Sequence, residues 1–302
     1  MVWKCYRRLE KEGKLSVRAF LHHYVFNIDD MHYYLQNSDK RTGDGTGKVR
    51  VGAFKIFVDG THRLHTAALE EPYHDDPKTR GTLLYEQDEL NEMLRLAEEN
   101  NMQVAMHCIG DRAVKTALNA IAQTENSMRH RIIHADTLSD ALLQRLREVK
   151  PCIESQPGFL LDEWNNYAKW LGEKRGPYCG MAKSVIDTGS PVSLSSDAPI
   201  GPLNPFEHIF AAVNRTDWEG HPKGGWIPSE KLDFETAFKG YTAVPPYLEF
   251  AEDMKGTIKP GAKADFMLLE DYPTDCPTET LNEIKVQQTW MDGNKVYDRA
   301  FE

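Results

Sequence analysis

Two histidines, a lysine and an aspartate stand at positions where they could work together. His107 closes the apolar run of "MQVAMHCIG", His134 closes that of "HRIIHA", and Asp197 follows "PVSLSS". Gln156 ends "PCIESQ", and Lys55 interrupts "VGAFKIFVDG". In parallel α/β architectures the C-terminal ends of strands place their polar groups in one mouth. Neutral imidazoles and a carboxylate are suitable ligands for zinc, manganese or iron. Lys55 is the odd member of the set. An ammonium buried among Phe54, Ile56 and Phe57 is disfavoured in its charged form, which lowers its pKa. The neutral amine is a nucleophile. It can add carbon dioxide and lose a proton, giving a carbamate whose anionic oxygens can bridge two metal ions.

Each residue also has an ordinary explanation. A single strand-end histidine is most often a hydrogen-bonded structural group, although the pair makes that reading weaker. Asp197 could serve as a helix cap or a turn residue before Pro199. Lys55 could extend its head to solvent from an edge strand. His62, His65 and His74 lie in the loop after Lys55, where a histidine is usually solvated. Cys108 follows His107 and should face away from it, as a packing residue.

The elements that would carry these residues are legible as alternating apolar runs and amphipathic stretches. Strands are expected in "LSVRAFLHHYV", "AFKIFVDG", "MQVAMHCIG", "HRIIHA", "PCIESQP" and "PVSLSSDAP". Helices are expected in "VWKCYRRLEKEG", "YEQDELNEMLRLAEENN", "DRAVKTALNAIAQT", "SDALLQRLREVK" and "GMAKSVIDTG". In the third of these, Ala113, Ala117, Ala120 and Ile121 share a stripe at helical spacing. Ser139 reads as a cap and Gly189 as a stop. Strand–helix alternation with nearly continuous apolar strands predicts a parallel sheet covered by helices. No GxGxxG or GxxxxGK[ST] follows a strand, so the common nucleotide-binding sheets are excluded. After about residue 250, "GTIKPGAKADFMLLEDYP" and "VQQTWMDGNKVYD" predict short strands with glycine turns.

The bulk composition narrows the partners. The 302 residues carry a formal charge of −10, which argues against nucleic acid or an anionic membrane surface. No apolar run is long enough to span a bilayer, and the charged start lacks an export signal. Five scattered cysteines with no CxxC pair point to a reducing, cytoplasmic setting.

Taken in order, "KIFVDG", "TAALEEPYHDD", "MHCIGDRAVKTAL", "RIIHAD", "SQP", "SSDAPIGPLNPF" and "GTIKPGAKADFMLLEDYP" resemble the amidohydrolase superfamily, in its amidohydrolase 3 or YtcJ-like branch. The resemblance runs from about residue 14 to 298. It implies an α/β fold: an incomplete (β/α)8 TIM-type barrel, about strands three to eight, over 1–250, with C-terminal β-sandwich strands over 251–302. It implies one or two divalent metal ions, zinc first, with Lys55 as the carboxylated bridging ligand. His107 and His134 correspond to ligands of one ion. Asp197 corresponds to a ligand of the other and to the catalytic proton shuttle. Gln156, Arg175 and Arg215 correspond to substrate-binding positions, and Arg112 to a supporting one. Family members also carry a His-x-His strand, but none of the eleven histidines here stand two apart. His22 and His23 are adjacent, so a strand would send them to opposite faces.

The implied activity is hydrolysis of a C–N, amide-type bond in a small molecule by metal-activated water. The alternative is a truncated or split relative that binds metal or assembles without catalysing alone. An incomplete barrel would leave two sheet edges unpaired. The expected assembly is therefore a homo-oligomer or a complex with a separate N-terminal half.

Overall fold

Six of the apolar runs pair side by side in the computed structural model, which describes residues 2–301. The strands are β1 (Ala19–Tyr24), β2 (Gly45–Thr46), β3 (Val49–Phe57), β4 (Val104–Cys108), β5 (Arg131–His134), β6 (Cys152–Ser155) and β7 (Val192–Leu194). Their order is β1-β3-β4-β5-β6-β7, all parallel, and β2 pairs antiparallel with β3. Side chains alternate between the faces, as strand geometry requires. Phe54, Ile56, Met106, Cys108, Ile132 and Ile153 point to one face and enter the main core. In register, Phe57 lies opposite His107, and Ile133 opposite both His107 and Glu154, so these residues share the other face. Lys55 and Arg131 belong to that face too, by alternation. We call it the lumen face.

Helices cover the apolar face. They are α1 (Val2–Lys11), α2 (Ile28–Asn37), α3 (Gln87–Glu99), α4 (Asp111–Ile121), α5 (Asp140–Val149), α6 (Leu160–Arg175), α7 (Ala182–Ile186), α8 (Pro205–Asn214), α9 (Phe234–Tyr241) and α10 (Val244–Leu248). α3 buries Leu90, Met93, Leu94 and Ala97, and α4 buries Ala113, Val114, Ala117, Leu118 and Ile121. Each fully buried Leu or Met contributes roughly 1.5–3 kcal/mol to this layer. α5 starts where Ser139 accepts a hydrogen bond from the Leu142 amide, and it stops at Lys150 in left-handed conformation. The sequence reading did not anticipate α2, α6 or α8 to α10. α6 contains Gly172 at φ 80°, which breaks its periodicity. α8 is buried on nearly every side, which removes the amphipathic signal.

The sheet stays open. Within the described residues, β1 and β7 each have a parallel partner on one side only. The result is an α/β fold with a six-strand, half-barrel sheet, consistent with an incomplete TIM-like barrel. Tyr24 and Phe57 accordingly remain 46% and 37% exposed. A separate antiparallel sheet joins β8 (Phe266–Leu269), β9 (Val286–Met291) and β10 (Asn294–Asp298) in the order β10-β9-β8. Arg18, just before β1, reaches it by ion pairs to Asp265 and Asp292. No helix of the described residues is long and apolar enough to cross a membrane.

Candidate metal centre

The C-terminal ends of β4 and β5 bring two imidazoles together: His107 lies on the lumen face, and His134, in register with core-facing Cys108, reaches it as its backbone turns to φ 76°. His107 Nε2 lies 3.0 Å from the Gly60 carbonyl oxygen, and His134 Nδ1 lies 2.7 Å from Gln156 Oε1. The Gln156 amide nitrogen donates to the Glu154 carbonyl and to Ser195 Oγ, which fixes the amide orientation. Both oxygens can only accept, so each imidazole keeps its proton on that far nitrogen. The remaining nitrogens, His107 Nδ1 and His134 Nε2, face each other 3.0 Å apart. Two bare lone pairs at that distance repel unless a cation or a proton stands between them. Phe159 stacks on His134 with centroids 5.9 Å apart and closes one side.

The surrounding charges suit that purpose. Burial, with a smaller push from Lys55, holds His107 down at about 4. Burial, followed by the fields of His107 and Lys55, keeps His134 well below its ordinary value. Both rings are therefore neutral, as metal ligands must be. Lys55 is half-buried, with its ammonium 4.4 Å from the Phe57 ring centroid, and burial lowers its pKa to about 8. Asp197 sits exposed on the loop after β7, at φ 52°. Local desolvation raises its carboxyl above the usual value, opposed by Lys55. None of the described His, Cys, Asp or Glu side chains completes a three-ligand group around His107 and His134.

Asp59, in the segment that follows Lys55, braces this rim. Its carboxylate accepts from the amides of Ala68, Ile109 and Gly110 at 2.8–3.0 Å. Burial pushes it up to about 7 against those three bonds. The close approach explains two glycines. A Cβ on Gly110 would strike the Ala68 carbonyl, and one on Gly60 would strike Thr66. Thus the 60–68 segment lies down on the start of α4 and presents the Gly60 carbonyl to His107.

The arginines named from the sequence are tied to backbone carbonyls. Arg175 donates to the carbonyls of Leu171, Glu71 and Pro72. Arg215 is buried and donates to Trp226 and Gly180 carbonyls. The Arg112 amide donates to Ala68. His22 and His23 do take opposite faces of β1: His22 accepts from the Ala53 amide at a strand bulge, and His23 packs against Tyr34 and Phe54. His62 is not solvated, contrary to the sequence reading: it is 3% exposed. The loop around it folds under α6, and aromatic rings exclude water. Sequence reasoning also missed the Arg131–Glu154 pair, 3.0 Å apart on the lumen face. Its signal was the alternation of those charges with isoleucines in two short strands.

The fold is a half-barrel α/β sheet whose strand ends bring two imidazoles together. The chain belongs to the amidohydrolase family, whose family model matches residues 2–297. YtcJ, a candidate amidohydrolase of Bacillus subtilis (strain 168), is 33% identical over 301 residues, 98% of this chain and 55% of the relative. The N-substituted formamide deformylase of Arthrobacter pascens is 27% identical over 312 residues, again 98% and 55%. An uncharacterized metal-dependent hydrolase from Pyrococcus furiosus superposes with a TM-score of 0.75 at 31% identity, over 86% of this chain and 52% of that one. The chain spans about half the length of the relatives it matches. The family is one of hydrolases and implies a divalent metal.

Proposed function

We propose that this chain supplies the metal-holding half of a hydrolase that cleaves a C–N, amide-type bond of a small molecule. The observation that carries the reading is the 3.0 Å approach of two imidazole nitrogens, each with its proton held on the opposite side. His107 Nδ1 and His134 Nε2 would hold a divalent ion, zinc first among candidates for nitrogen and oxygen donors. Lys55, as its carbamate, would supply an anionic oxygen, and Asp197 a carboxylate. Such an ion, when bound, acidifies water and polarises a carbonyl. Asp197 would take the water proton and return it to the leaving nitrogen. Its raised pKa suits a group that must both accept and release a proton. Gln156 and Gly60 would hold the two rings in their ligating orientation, acting through them. A cavity of about 270 Å³, lined by Phe159, Ile200, Gly201, Pro202 and Trp218 among others, lies beside the Asp197 loop and would take the rest of the substrate.

A second reading is favoured by the open sheet: the chain assembles before it catalyses. β1 and β7 each leave one edge without a strand among the described residues, and Tyr24 and Phe57 remain exposed beside the β1 edge. Strand addition at those edges would bury Tyr24, Phe57 and His22 and could deliver further ligands from a His-x-His strand. A second copy of the chain, or a separate polypeptide bearing such a strand, is the expected partner. Five cysteines, none of them disulfide-bonded, support a reducing, cytoplasmic setting.

Zinc titration of the chain, with and without a polypeptide carrying the His-x-His strand, tests both readings. A panel of N-formyl and N-acyl amines and the matching esters completes the test. Loss of one bound zinc in His107→Ala and in His134→Ala, with amide turnover only in the complex, supports both. Zinc stoichiometry unchanged by either substitution refutes the first, and turnover by the isolated monomer refutes the second.

A further inference from the structure

A second ligand cluster begins just beyond the end of β5, where Asp136 lines the same pocket as His134. Among the described residues, one group of three His, Cys, Asp or Glu side chains brings its ligand atoms within 4.8 Å of one another: His62, Asp136 and Cys179. They come from the loop after β3, the loop after β5 and the turn after α6. His62 and Cys179 are buried, and the Asp136 side chain is 13% exposed.

The hydrogen bonds around His62 set its tautomer. The Tyr73 hydroxyl donates to the Ala67 carbonyl at 3.1 Å, so its oxygen is left to accept from His62 Nδ1 at 3.2 Å. With that proton on Nδ1, Nε2 is a lone pair directed into the cluster. It faces Thr137 Oγ1 at 2.7 Å and Asp136 Oδ2 at 3.4 Å. The Thr137 hydroxyl can donate to that lone pair, and a bound ion would take the place of this hydrogen bond. Cys179 Sγ completes the ring of donors, 3.5 Å from Thr137 Oγ1.

We propose that His62 Nε2, the Asp136 carboxylate and Cys179 Sγ form a second, structural site for a zinc-class cation. One nitrogen, one oxygen and one sulfur donor select a borderline-soft ion over magnesium or calcium. Loading replaces the S–H bond of Cys179 with a sulfur–metal bond and releases one proton to solvent, with no change of oxidation state. The setting is enclosed. Leu69, Tyr73, Leu160, Tyr167, Trp170 and Leu171 cluster with Cys179, and Trp170 stacks on His62 with centroids 5.8 Å apart. An ion there would clasp the 60–85 segment and α6 to the end of β5. The rival arrangement needs no ion: Thr137 Oγ1 donates to neutral His62 Nε2, and the Asp136 carboxylate lies beside them.

Cobalt(II) loading of the full chain separates these, because a thiolate ligand gives a near-ultraviolet charge-transfer band and histidines alone do not. The band is expected in the parent chain, in Cys108→Ser and in the His107→Ala/His134→Ala double variant. It should vanish in Cys179→Ser. His62→Gln, which keeps the thiol, should weaken cobalt binding at this site about tenfold or more. That variant serves as the readout should Cys179→Ser fail to fold. Absence of the band from the parent chain, its survival in Cys179→Ser, or unchanged cobalt affinity in His62→Gln overturns the proposal. Failure of the lumen centre alone would remove the cobalt lost in the double variant and leave the band.

Discussion

His107 and His134 stand at the strand ends of an open sheet, whereas His62 stands in a loop under α6, and all three are buried. The two clusters use the same device. In each, an oxygen with no proton to give holds the imidazole proton on the far nitrogen: Gly60 and Gln156 in the lumen, Tyr73 in the enclosed cluster. What differs is the donor set. The strand-end pair offers two nitrogens and leaves the rest of an ion's shell to other groups, whereas the trio offers one nitrogen, one oxygen and one sulfur.

The largest effect that could break this contrast concerns Asp197. In the completed barrel, Asp197→Asn should lower amide turnover by about 10²–10⁴-fold while leaving the cobalt thiolate band intact. Turnover within a fewfold of the parent would remove Asp197 from the chemistry. Next comes the orienting amide. Gln156→Leu should weaken zinc binding in the lumen by about 10–100-fold, and Gln156→Glu, which keeps an acceptor for His134 Nδ1, should recover most of it. Equal loss in both would mean that Gln156 acts through packing instead.

Lys55 offers a smaller, pH-graded effect. With its pKa at about 8, the neutral amine rises from about a tenth of the population at pH 7 to about nine tenths at pH 9. Bicarbonate-dependent metal uptake should rise over that window and flatten in Lys55→Met. A bicarbonate-independent titration would exclude the carbamate. The smallest effect is on stability without metal. His107 binds its proton at about 4 in the folded chain, against an ordinary value near 6.5, so the unfolded chain protonates first as pH falls. The stability it contributes is whole above pH 6.5 and is lost towards pH 4, on the order of 2–3 kcal/mol. Urea unfolding in chelator should show that slope, reduced in His107→Gln.

The lumen cluster was legible in the sequence and the enclosed one was not, for physical reasons. His107 and His134 end apolar runs whose direction and spacing place them at strand termini, so one-dimensional pattern was enough to bring them together. His62 sits in a loop of Gly, Thr and Arg with no periodicity. Its burial depends on Tyr73, Tyr167 and Trp170 folding over it from 11 to 108 residues away. α6, which carries two of those rings, was hidden by the kink at Gly172. The open edges of the sheet were expected from six strands where a closed barrel has eight. The alternation of Arg131 and Glu154 with isoleucines marked each as facing away from the core, but pairing them needed the sheet register.

The most direct measurement is an anomalous-scattering map at the zinc edge from crystals of the chain grown with zinc. The account predicts a peak between His107 Nδ1 and His134 Nε2, about 2.0–2.1 Å from each, with Gln156 and Gly60 still bound to the far nitrogens. Imidazoles joined by a hydrogen bond, with no anomalous density between them at saturating zinc, would contradict it.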